Sequence, residues 1–151
     1  MILPDFKGFP RTGRIIGLDW GARRTGVAVS DASREFVFVR PVIVTPRGDN
    51  SWARRVAELA GAENAKGIII GMPVHSDGSP SEICDEIRAH AAQVCTYIDL
   101  PIAFIEENLT SVAAQESMGK VRRTDIKQRL DSEAARIILE NAIALMRRSD
   151  V

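Results

Sequence analysis

Apolar residues gather in five short runs, separated first by tight turns and later by stretches of helical spacing. Residues 14–20, RIIGLDW, read as a first strand. Gly21 and Gly26 bracket a basic turn, GARRTG, and VAVS supplies a second strand ending at Ser30 and Asp31. Residues 36–44, FVFVRPVIV, carry the β-branched and aromatic side chains of a third strand, with Pro41 marking an edge or a bend because it offers no N–H. The short connections favour an antiparallel meander.

The pattern then changes to strand and helix in alternation. Ser51 is placed to cap a helix through WARRVAELAGAE, with Trp52, Val56, Leu59 and Ala60 at helical spacing. KGIIIG reads as a buried strand, MPVHSDGSPS as the loop that leaves it, and Ser79 or Ser81 as the cap of a helix through EICDEIRAHAAQVCTYI. PIAFIE, residues 101–106, is a further strand. Thr110 or Ser111 starts a helix towards Met118, Gly119 stops it, and a basic segment follows. The last helix is expected from about Leu130 to Arg147, with Ala134, Ile137, Ile138, Ala142 and Leu145 on its apolar side. Three antiparallel strands followed by two parallel strands predict an α/β fold, a five-stranded mixed sheet flanked by helices. One domain over residues 1–151 is expected, with its core at about 14–147 and frayed termini.

Composition narrows the class. The chain of 151 residues is 45% hydrophobic and 26% charged, as in an ordinary soluble protein. No apolar run reaches the ~20 residues of a membrane span, and the N-terminus lacks a signal-peptide pattern. Cys84 and Cys95 read as reduced thiols of a cytoplasmic protein, and with the distant His75 and His90 they do not form a zinc site. The net charge of zero hides an asymmetry: residues 1–55 carry a net +5 and residues 56–151 a net −5. Lys120, Arg122, Arg123, Lys127 and Arg129 form a second basic concentration, interrupted by Asp125. Such patches replace phosphate counterions in nucleic-acid binders, although helix-end charges on a solvated surface give the same pattern.

The chemistry rests on acids that end or follow apolar segments. Asp19 closes the first strand just before the glycine turn. Glu106 and Glu107 follow PIAFI, and alternation in a strand lets only one address a shared site, for which Glu107 is the choice. Asp131 is expected at the start of the last helix, where it could cap amides as well as hold a metal. Each acid alone has a bland reading as a turn, surface or capping residue. Three carboxylates that converge repel one another unless a cation joins them, and Mg²⁺ or Mn²⁺ fits such a hard oxygen set. Arg23 and Arg24, beside Asp19, offer guanidinium forks for phosphate oxygens. In GMPVHSDGS, Gly71 and Gly78 permit close or unusual backbone, and amides near Ser79 could receive a phosphate at a helix start. His75 and Asp77 could orient substrate, but His75 is not assigned as a general base. His90, in the middle of a helix, reads as structural or surface-exposed. The GxxxxG of the first turn lacks the lysine and hydroxyl residue of a P-loop.

GLDWGARRTGVAVSD, GMPVHSDGS, EENLTSVAA and LDSEAARIIL occur in the order seen in the bacterial YqgF family, also called RuvX, which the chain resembles from Arg14 to about Ala144. The resemblance implies a ribonuclease-H-like fold and a Mg²⁺ or Mn²⁺ site on Asp19, Glu107 and Asp131. It also implies metal-dependent hydrolysis of precursor ribosomal RNA during maturation of the 16S 5′ end, possible contact with ribosomal particles, and no membrane partner. Cleavage of a four-way DNA junction, which favours a homodimer over a monomer, and metal-independent RNA binding are the competing readings. The central motif reads Glu106-Glu107-Asn108-Leu109-Thr110 where the family pattern has Asp-Glu-Arg-Leu-Thr. Asn108 thus stands at a nucleic-acid-binding position without the arginine's charge, and Arg122 or Arg123 could compensate.

Overall fold

The computed structural model describes residues 1–75, 77–108 and 123–149, and of these the side chains of all but Asn108, residues 123–132 and Ser149. In chain order the elements are β1 (Ile15–Asp19), β2 (Arg24–Ser30), β3 (Val37–Val44), α1 (Trp52–Ala62), β4 (Gly67–Val74), α2 (Cys84–Tyr97), β5 (Ile102–Asn108) and α3 (Arg123–Ser149). The strands form one sheet in the order β3-β2-β1-β4-β5. β1 and β2, and β2 and β3, pair antiparallel; β4 runs parallel to β1, and β5 parallel to β4. This is the expected mixed sheet, with β1 at its centre and Ile15, Ile16 and Leu18 fully buried. β3 is an edge strand, as Pro41 requires. Between the pairs Thr25↔Ile43 and Val27↔Arg40 it carries an extra residue, a bulge located where proline has no N–H to give.

Alternation along the strands divides the core into two layers. Ile16, Leu18, Val27, Val29, Ile68 and Ile70 face α1 and α2. Ile15, Ala28, Ile69 and Ala103 face α3, against Ala135, Ile138, Leu139 and Ala142. Two glycines let α3 lie close to the sheet. A Cβ on Gly17 would stand 2.8 Å from Leu139 Cβ and 3.2 Å from the Ala135 carbonyl oxygen, and one on Gly71 would stand 2.4 Å from Ile138 Cδ1. On the other side, Trp52 Nε1 donates to the buried Thr25 Oγ1 at 2.9 Å, tying α1 to β2. The rings of Trp20 and Trp52 pack on His90 at centroid distances of 5.0 and 5.6 Å, which gives His90 the structural role expected and places Trp20 in the core.

Several expectations are corrected. Ser51 stands at the N-cap of α1, but its hydroxyl makes no capping bond. Its φ of −85° and ψ of 0° depart from the extended backbone a capping side chain needs. Neither Ser79 nor Ser81 caps α2, which begins at Cys84 with Ile83 before it. Pro80 bridges back to Val74 and Ser81 N donates to the Pro73 oxygen, so this stretch forms a hairpin along β4 and the helix starts later. α3 begins at Arg123 rather than near Leu130. Its buried stripe is Ala135, Ile138, Leu139, Ala142 and Ile143, while Ile137 and Leu145 are exposed. The N-terminus is not frayed: Ile2 pairs with Ile102, and the ring of the buried Phe9 occupies the space that a Cβ on Gly67 would need. The helix expected from Thr110 or Ser111 to Met118 lies outside the described residues. Among those described, no helix is long and apolar enough to cross a membrane, and both cysteines are free thiols.

Candidate active site

Asp19 and Glu107 belong to the same face of the sheet at the carboxyl ends of the parallel strands. Gly17 faces α3, and Asp19 lies two residues further along β1, hence on that face. Leu18 pairs with Ile70, so Asp19 is level with Gly71, which in turn pairs with Ile105; Glu107 lies two residues beyond Ile105 and pairs with Pro73. Gly71 separates the two acids, and a Cβ there would touch Glu107 Cγ at 3.6 Å. Of the two adjacent glutamates, Glu106 is exposed, whereas Glu107 is half-buried against α3. Alternation therefore places Glu107, and not Glu106, on the α3 face with Asp19.

Burial pushes the Glu107 carboxyl above its ordinary pKa, and a 3.3 Å hydrogen bond donated by Asn141 Nδ2 to Glu107 Oε1 partly opposes that shift. Asn141 was not singled out from the sequence; its helical spacing from Ile138 and Leu145 is the signal that could have found it. A cleft of about 590 Å³ opens beside Glu107, with Glu106, Asn141, Leu145 and Arg148 among its lining residues. The raised pKa has a thermodynamic consequence. A carboxyl raised in the folded state contributes stability below its unfolded pKa and loses it as pH rises through the folded value. Metal-free Glu107→Gln should therefore melt above the wild type at pH 7, with the difference shrinking as pH falls towards the ordinary carboxylate range. Thermal melts from pH 4 to 8 in chelator check this.

α3, whose backbone includes Asp131, lies across the same face. Arg147 Nη2 donates to the Arg34 carbonyl at 2.8 Å, at the far end of the sheet, so α3 runs antiparallel to β1 and its early turns lie towards the Asp19 end. Asp131 lies one turn before Ala135, whose carbonyl oxygen abuts Gly17. It is not at the helix start: about two turns precede it, so a capping role is ruled out and only the placement of its backbone carries the functional reading. Its side chain lies outside the described residues. Among the described residues, no three His, Cys, Asp or Glu side chains cluster closely enough to hold a metal. The donor chemistry nonetheless fits a hard divalent cation, because Asp19 and Glu107 offer only carboxylate oxygens and, among the described residues, the half-buried Glu107 carboxyl has one neutral donor against it.

The remaining candidates are distributed around this edge. Gly21 closes the β1–β2 hairpin so tightly that a Cβ would sit 2.3 Å from the Arg24 oxygen. Arg23 is exposed, its Nη1 donating at 3.4 Å to the Ala22 oxygen. Arg24 is half-buried. Ser79 is exposed, and its N–H and hydroxyl both donate to Asp77 Oδ1, at 2.9 and 2.6 Å. With the helix starting at Cys84, the phosphate site expected at a helix start near Ser79 is not formed there. Gly78 has a φ of +86°, the left-handed turn that glycine permits. Asn108 ends β5 opposite Val74. Lys120 and Arg122 lie outside the described residues, and Arg123, Lys127 and Arg129 fall in the first turns of α3 instead of preceding it.

A mixed five-stranded sheet with helices on both faces, its central strand closed by Asp19, defines a ribonuclease-H-like fold. The solved structure "T. thermophilus RuvC in complex with Holliday junction substrate" shares that fold, with a TM-score of 0.54 at 14% identity over 89% of this chain and 96% of that one. The family model for RuvX, Holliday junction resolvase, matches residues 13–145, and the chain belongs to this family. Its relatives include "Putative pre-16S rRNA nuclease" of Rhodopirellula baltica, 35% identical over 93% of this chain and 82% of the relative. The protein of the same name from Rhodopseudomonas palustris is 36% identical over 89% and 83%.

Proposed function

We propose that the chain is a divalent-metal-dependent endonuclease that hydrolyses RNA phosphodiester bonds, in the 5′-end maturation of the 16S ribosomal RNA precursor. The observation that carries this reading is the placement of Asp19 and Glu107 on one sheet face, flanking Gly71, with the Asp131-bearing helix laid across the same face. Asp19, Glu107 and Asp131 would hold Mg²⁺ or Mn²⁺, which when bound lowers the pKa of water and neutralises charge on the phosphate. A ligand set divided between the central strand and the helix packed on it would need little ordering at the moment of reaction, which supports the reading. Arg23 and Arg24 border this edge and match phosphate oxygens, while Ser79 and Asn108 end the neighbouring β4 hairpin and β5 strand. Basic residues in the first turns of α3, Arg123 among them, add to the attraction for a polyanion. Relatives named as pre-16S rRNA nucleases support RNA as the substrate.

A second reading, cleavage of a four-way DNA junction, is favoured by the family description and the shared RuvC fold. It would need a homodimer placing two such sites on opposed strands. Both substrates should be offered to the purified protein with Mg²⁺ and with chelator. Mg²⁺-dependent cleavage of the precursor RNA supports the proposal, and selective cutting of the junction reverses the substrate. RNA binding that ignores the chelator, without cleavage of either, would replace the enzyme by a binding protein.

A further inference from the structure

Arg23 and Arg24 are adjacent in sequence but unequal in the fold. The Arg23 backbone oxygen accepts from Thr45 N at 2.8 Å and its side chain is exposed. Arg24 opens β2 and pairs with Val44, so the backbone on which it stands is fixed from the β3 side. The next residue, Thr25, points to α1 through its bond with Trp52, and so Arg24 takes the opposite face, that of Asp19, Ala28 and α3. There Arg24 Nη1 is buried and has no hydrogen-bond partner among the described residues. A guanidinium carries donors only and no acceptor, so this N–H is satisfied only by an oxygen brought to it. Buried donors without acceptors are rare, and one on the sheet face that carries Asp19 is suited to an anionic oxygen.

We infer that Arg24 is the residue that takes the substrate phosphate beside Asp19, whereas Arg23 contacts only the flanking backbone of the nucleic acid. The assignment rests on the nuclease reading for its substrate, but the anion site itself can be measured without catalysis. Thermal melts in inorganic phosphate, against chloride at matched ionic strength, provide the test on the intact chain. Wild type and Arg23→Met should gain melting temperature in phosphate, and Arg24→Met should not. In chloride, Arg24→Met should melt higher than the wild type by roughly 2–4 °C, because an apolar side chain of similar length removes the orphaned donor.

On RNA with Mg²⁺, Arg24→Met should lower kcat by ~10²-fold or more. Arg24→Lys, which keeps the charge without the fork, should recover part of that loss, and Arg23→Met should raise KM. Equal phosphate stabilisation of Arg24→Met and wild type, or none in the wild type, overturns the inference. A wild type that cuts no nucleic acid but shows the phosphate pattern would refute the nuclease reading and leave the anion site standing. Cleavage undiminished in Arg24→Met would do the reverse.

Discussion

Asp19→Asn should lose Mg²⁺-dependent RNA cleavage almost completely while the fold persists. Asp19 is the last residue of the central strand, and its neighbours Ile16 and Leu18 are buried in the core, so an isosteric amide changes charge without disturbing the strand. An amide oxygen is a poor ligand for Mg²⁺ compared with a carboxylate. Losing an outer partner of a metal ligand typically costs 10- to 100-fold, so losing the ligand itself should exceed ~100-fold in kcat/KM. Cleavage assays at saturating Mg²⁺, with a thermal melt of the same preparation, check both halves of the expectation. Activity within tenfold of wild type would remove Asp19 from the chemistry.

Gly17→Val should destabilise the fold strongly and weaken cleavage as well. At Gly17 a Cβ would come within 2.8 Å of Leu139 Cβ and 3.2 Å of the Ala135 oxygen, and the second of these is backbone that cannot swing aside. α3 would have to lift from β1 along the stretch that carries Asp131. Overpacking of this kind costs ~1–3 kcal/mol, and valine adds two methyl groups beyond the Cβ, which points to the upper end. For a chain of this size the melting temperature should fall by roughly 6–12 °C, which calorimetry would show. Cleavage at a temperature where the variant is still folded should also fall, because the helix bearing one acid no longer lies on the strand bearing another. Gly17→Ala should show the same effects in smaller measure.

The strands were legible because RIIGLD, KGIII and PIAFI are apolar runs too short for helices, and because the turns between the first three are too short for crossovers. That only one of Glu106 and Glu107 can share a face with Asp19 was legible from alternation, whereas which of the two does so follows from the buried neighbours in the fold. Helix boundaries were less legible. Residues 123–130, RTDIKQRL, hold only Ile126 and Leu130 as apolar positions, so the first turns of α3 read as a basic loop. Further along, AARIILENAIALM is apolar around much of the helix, so more than one stripe fits the sequence. The stripe used is the one containing Leu139 and Ala135, because Gly17 leaves space there. The unused serine caps have a similar origin: Pro80 and Ser81 are drawn into a hairpin with β4 by contacts distant from the local sequence signal. Gly17 itself looked like part of a strand, and nothing local marks it as the seat of a helix.

The shared use of one divalent ion by Asp19, Glu107 and Asp131 is tested most directly by calorimetric titration of Mn²⁺ into the wild type and into Asp19→Asn, Glu107→Gln and Asp131→Asn, without substrate. Each substitution should weaken Mn²⁺ binding by at least ~10-fold while leaving the melting curve cooperative. Unchanged Mn²⁺ affinity in Asp131→Asn, or in either of the other two, would contradict a site built by the three acids together.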